Sequence, residues 1–238
     1  MAGLHSVAEE KINRRLLLTP QDNYQVALDL ACEQLRNSDL NERYAKSGAV
    51  FEKSGGGEGL IKLLFLNQTC EIRTPRMEIG YAGSEEEMPV WAKILILHYL
   101  NHSKGLPLSG EWITFRQLPG GSGYYPAHAK RTLNPLINAF GSNPELLIEA
   151  AKPLGGREVL QGDAAVTIFA FPHVPITFIL WKGDEEFPPE ANVLFDSTIT
   201  ENLSTEDVEV LCQMVALKMG KWVMGRGEPT VRPHGKTL

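Results

Sequence analysis

The residues from Trp112 to Arg131, WITFRQLPGGSGYYPAHAKR, hold the densest set of chemically capable side chains in the sequence. Gly120, Gly121 and Gly123 would let backbone N–H groups approach a ligand, and Tyr124 and Tyr125 offer aromatic faces. Arg116, Lys130 and Arg131 add positive charge just ahead of an expected helix start. Together these are the ingredients of an anion site. No Gly-Lys-Ser/Thr follows the glycines, and their spacing does not fit G-x-G-x-x-G, so neither a phosphate loop nor a dinucleotide fingerprint is present. The competing reading is a structural hairpin loop whose cations pair with acids elsewhere.

A second stretch, Trp181 to Asp196, reads WKGDEEFPPEANVLFD. Asp184, Glu185 and Glu186 could hold a metal or supply a general base, and Trp181 could stack on a planar ligand. Asp196 follows an apolar run and is the acid most expected to point somewhere specific. The alternating ligands of an EF-hand are missing, and runs of charge are usually solvated turns. His98 and His102 stand one helical turn apart, as paired metal ligands do, although a helix C-terminus favours histidine for its dipole alone. His128 and His173 stand alone, and each could ligate a metal, shuttle a proton or serve the structure. No G-x-S-x-G elbow and no cysteine in a catalytic context occur, which argues against the usual hydrolases.

These residues need elements to position them. Thr19-Pro20 reads as the start of a helix over 20–37, with Tyr24, Leu28, Ala31 and Leu35 as its stripe. Runs at Ala49–Lys53, Leu60–Leu66, Cys70–Arg73 and Met77–Tyr81, with a glycine-rich turn after the first, form an antiparallel meander. An apolar helix over 89–103 follows. Next come a strand over Glu111–Leu118, a loop over Pro119–Lys130, a helix capped by Thr132 with Leu133, Leu136, Ile137 and Phe140 at helical spacing, and a helix after Asn143-Pro144. Val166–Phe171, Ile176–Trp181 and Val193–Asp196 form a second meander. Ser204 and Asp207 resemble a capping box before a final helix faced by Val208, Leu211, Val215 and Trp222.

Two meanders interleaved with helices, without a βαβ rhythm, predict a single α+β domain over 1–238 whose antiparallel sheet is packed by helices. Residues 1–18 read as an N-terminal extension and 225–238 as a flexible tail. A net charge of −6 argues against gripping nucleic acid. Lys218, Lys221, Arg226, Arg232 and Lys236 make a basic C-terminal end opposed only by Glu228, a weak candidate binding element. No export signal and no membrane-length apolar run is seen, and Cys32, Cys70 and Cys212 lie far apart without a C-x-x-C pair, so a cytoplasmic protein with core cysteines is expected.

The segments ILILHYL (94–100), GEWITFRQLPGGSGYYPA (110–127), FPHVP (171–175) and LWKGDEEFPPEANVLFD (180–196) resemble domain of unknown function 3786, a family of anaerobic bacteria and archaea. The resemblance spans roughly residues 27–218 and implies a setting of anaerobic cofactor metabolism. Some relatives carry an added iron-sulfur domain similar to that of corrinoid proteins. This chain lacks those cysteines, which puts direct electron transfer in doubt.

The leading expectation is an accessory protein that binds a small-molecule or cofactor ligand, anionic in part. The resemblance alone suggests a corrinoid or other tetrapyrrole. The alternatives are an enzyme using the Asp184–Glu186 or Asp196 carboxylates, and a non-catalytic scaffold in which the acidic and basic stretches pair with each other. A protein partner fits any of these, whereas nucleic acid and membrane do not.

Overall fold

The computed structural model describes residues 20–53 and 58–225. The N-terminal extension, most of the glycine-rich turn after the first strand, and Arg226, Arg232 and Lys236 of the basic end lie outside the described residues. The chain enters through helices α1 (Pro20–Arg36) and α2 (Leu40–Ser47), and Asp39 caps α2 by accepting from the Asn41 and Glu42 amides. Strands β1 (Val50–Lys53), β2 (Gly59–Phe65), β3 (Gln68–Thr74) and β4 (Glu78–Tyr81) pair in sequence order as an antiparallel meander. Burial alternates along β2, so Ile61, Leu63 and Phe65 enter the core, as the period of a half-buried strand requires.

Helix α3 (Val90–His102) is apolar almost all round, and accordingly eight of its residues are buried. Helix α1 lies along it. Strand β5 (Trp112–Thr114) is shorter than the sequence suggested, because the chain folds at Phe115–Gln117 into a 3-10 turn closed by a capping box between Thr114 and Gln117. The stretch read as a loop over 119–130 is helical: α4 covers Gly121–His128, and a π-helical turn at Ala129–Leu133 runs directly into α5 (Asn134–Phe140). Thr132 is therefore an interior residue of a continuous helical path and caps nothing. Helix α6 (Glu145–Ala151) follows.

Strands β6 (Arg157–Glu158), β7 (Ala164–Phe171), β8 (Val174–Trp181) and β9 (Glu190–Asp196) form the second meander, and β5 adds antiparallel to the outside of β9. The two meanders are thus separate sheets of four and five strands, and the fold is α+β. They meet where the Leu66 amide donates to the Ala170 carbonyl at 3.0 Å and where Phe171 stacks on both Phe65 and Tyr99. One continuous cluster of buried side chains draws from both sheets and from α1, α3, α5, α6 and α7 (Thr205–Gly225). Cys32, Cys70 and Cys212 are free and buried in it. Ser204 and Asp207 make the reciprocal capping box read from the sequence, and Lys218 and Lys221 belong to α7. No helix among the described residues is long and apolar enough to cross a membrane.

Candidate functional site

The helix in place of the loop decides what the Trp112–Arg131 stretch can do. Gly120, at φ 71°, adopts the left-handed turn that starts α4. A Cβ on Gly121 would lie 2.0 Å from the Phe115 carbonyl oxygen, so the 3-10 turn and α4 can pack only through a bare backbone. Three amides are committed within this turn: Gly121 donates to Leu118, and Gly123 and Tyr124 both donate to Gly120. Gly123 itself faces open space. Several side chains here are also engaged. The Arg116 guanidinium lies 3.5 Å over the Tyr125 ring, and the Tyr124 hydroxyl donates to Glu206 at 3.2 Å. Lys130 and Arg131 are exposed on the π-helical turn.

His128 is wholly buried. Its ring stacks on Phe115 with centroids 4.0 Å apart, and Nδ1 lies 2.7 Å from Glu209 Oε2 on α7. Glu209 is buried too, and its second oxygen and the hydroxyl of buried Thr132 have no partner among the described residues. Cys212, one turn further along α7, has its thiol pushed well up by burial and then by the Glu209 charge, so it is no nucleophile. The sequence hinted at this arrangement only through Glu209 standing inside the apolar run VEVLCQMV.

The acids of the second stretch separate. The Asp184 carboxylate accepts from the Glu186 and Phe187 amides at 2.8 and 2.7 Å, and these bonds hold it below the usual carboxylate range. Glu185 and Glu186 are exposed, and Trp181 is partly exposed at the end of β8, opposite Glu190. Asp196, at the other end of β9, is buried and accepts from the amides of Ser109, Gly110 and Thr198 and from the hydroxyls of Ser109 and Thr198. Burial pushes its carboxyl up, but these donors outweigh it and hold it at about 2. Such a carboxylate is a clamp on the Ser109–Gly110 loop and a poor base. Among the described residues no ion pair joins Arg116, Lys130 or Arg131 to Asp184, Glu185 or Glu186.

His98 and His102 do share a face, with ring centroids 5.7 Å apart. His98 Nδ1 lies 2.8 Å from Asp207, and this bond raises the imidazole against the opposing effect of burial. Burial and the neighbouring His98 instead lower His102. No third histidine, cysteine or carboxylate completes a metal-binding group among the described residues. His173, in the β7–β8 turn, uses its amide to donate to the Tyr99 hydroxyl at 3.3 Å.

His102 opens into a cleft of about 540 Å³ that no motif announced. Its wall comes from α2 (Arg43, Lys46), the end of α3 and the residues after it (Asn101, His102, Lys104), and the turn before α7 (Glu201). Three segments distant in sequence thus bring four basic side chains to one concavity. Lys46 pairs with Glu42, and Lys104 with Glu201, both at partly exposed positions. Arg43 donates through one terminal nitrogen to the Asn101 carbonyl at 2.7 Å, while its Nε and the Asn101 Oδ1 are buried without partners among the described residues.

The family described as domain of unknown function (DUF3786) matches residues 39–218. The chain belongs to that family. The DUF3786 stretch begins at the cap of α2 and ends inside α7, so it contains both sheets, the cleft and the His128–Glu209 pair. No curated protein and no solved structure matches the chain.

Proposed function

We propose that the protein binds a small anionic ligand in the cleft between α2, the end of α3 and the start of α7. One observation carries this reading: Arg43, Lys46, His102 and Lys104 converge on a single concavity in a chain whose net charge is −6. A local basic cleft on an acidic protein concentrates anions where the rest of the surface repels them. The volume lies within the roughly 300–1,000 Å³ of ligand pockets and suits a metabolite-sized anion better than an entire corrinoid. The pairing of the two lysines is no obstacle. Exposed ion pairs are worth only about 0–1 kcal/mol, so an incoming oxyanion can compete for both ammonium groups. The unpartnered Arg43 Nε supports the same reading, since a buried polar group left unsatisfied costs about 1–3 kcal/mol and calls for a reason.

Isothermal titration with sulfate, oxalate and pyrophosphate tests the proposal. Replacing Arg43 and Lys104 together with alanine should weaken binding by about a hundredfold or more, as expected when two charge-assisted contacts worth roughly 1.5–3 kcal/mol each are removed. The double change Arg116→Ala and Lys130→Ala should leave binding intact. The opposite pattern would move the site to the Trp112–Arg131 stretch. Native mass spectrometry after mixing with cobalamin or haem puts the tetrapyrrole expectation to its own test.

A further inference from the structure

The charge balance of the cleft bears on how it could hold a doubly charged anion, an inference that rests on the anion reading itself. Three permanent cations, Arg43, Lys46 and Lys104, are opposed by Glu201 in the wall and by Glu42, which holds Lys46. Three positive charges against two negative leave a surplus of one. A monoanion would be matched by that surplus, but a dianion needs one more positive charge. Among the residues of the wall only His102 can gain one near neutral pH.

We propose that a dianion can be held in the cleft and that His102 takes up a proton as it binds. The surroundings of the ring fit this role from each side. Burial first, then His98 of α3 and Arg43 of α2, disfavour a charged His102 in the empty cleft. Asp207, at the start of α7, is the nearby carboxylate that favours it, but its oxygens are already held by His98 and Ser204. Glu201 is held by Lys104, and Lys46 adds a further positive charge at the wall. The imidazole therefore rests neutral beside a set of fixed charges that nearly cancel. A bound dianion reverses this balance, because an opposite charge within about 4–6 Å favours the protonated ring. Proton uptake and ligand binding then reinforce each other by linkage. The chemistry shared by candidate ligands is two negative charges on oxygen, as in a phosphate ester or a dicarboxylate.

Sulfate and oxalate keep both charges across the range where histidine titrates, so any pH dependence in their binding belongs to the protein. Titrating each at about pH 6 and about pH 8 should show roughly fivefold tighter binding at the lower pH. At intermediate pH the heat should depend on the ionisation heat of the buffer, which counts the proton taken up. His102→Gln should abolish both the pH dependence and the buffer dependence of the heat. A preference for sulfate would indicate a phosphoryl-type ligand, and one for oxalate a dicarboxylate. Equal affinity at both pH values with buffer-independent heats would overturn the proton uptake and leave the anion site standing. Failure of both dianions to bind at either pH would overturn the anion site itself.

Discussion

The α4 region and the cleft beside α3 are built from similar residue types and have opposite outcomes. Around α4, Arg116 covers Tyr125, Tyr124 is bonded to Glu206, His128 to Glu209, and the Gly121 and Gly123 amides to neighbouring carbonyls. In the cleft, Arg43, Lys46, His102 and Lys104 border open volume. A motif rich in glycine, aromatic and basic residues can be an internal joint, whereas a scattering of ordinary surface cations can line a cleft. Arg43, Lys46 and Lys104 have partners too, so what separates the two regions is that these cations line one concavity.

The sharpest way to break this contrast is to disturb the joint. Glu209→Ala leaves His128 buried without its partner and should cost about 3–5 kcal/mol in chemical denaturation, as loss of one member of a buried pair generally does. Replacing His128 and Glu209 together with leucine and methionine should cost less than that single change. Asp196→Asn comes next, at roughly 2 kcal/mol: the amide nitrogen cannot accept from the donors that now surround the carboxylate. The folded carboxyl sits at about 2, below its unfolded value, so its contribution is present above about pH 4 and fades as the pH falls toward about 2. Acid unfolding of the wild type should reflect that loss, and the Asn variant should lack this component.

His98→Gln should cost on the order of 1 kcal/mol, and only over a window. The His98 imidazole is raised on folding, so its stabilisation is full below about pH 6.5 and is lost as pH climbs through the folded value. Its partner Asp207 is lowered on folding, so that share is present above about pH 4 and is lost on acidification. Stability measured against pH should therefore show the variant nearest to wild type in strong acid and in alkali. The smallest effect sharpens the contrast from the cleft side: Lys46→Ala should leave the melting temperature unchanged within scatter while weakening anion binding.

Much of the frame was legible because it rests on local pattern. The alternation in Leu60–Leu66, the apolar helix around Ile94–Leu100 and the Ser204–Asp207 capping box each identify their element within a few residues. The stretch over 119–130 was misread because its glycines and Pro126 signal a loop, while packing against Phe115 and α7 holds it helical. Context of that kind overrides propensity. His102 was visible as a helix-end histidine, but Arg43, Lys46 and Lys104 were not visible as a group. Their meeting depends on α2 docking beside the end of α3, which no spacing within either segment records.

Tyr99 has a mechanical consequence. Its hydroxyl donates to the Ser47 carbonyl at the end of α2 and accepts from the His173 amide in the β7–β8 turn, while its ring lies on Phe171, which in turn lies on Phe65 of the other sheet. One side chain thus bolts a helix end to a hairpin and both to the line where the sheets abut. Three residues further along α3 is His102. Strain applied at the cleft has a short, stiff route to that line, so amides of β2 and β7 should slow their hydrogen exchange when the cleft is filled.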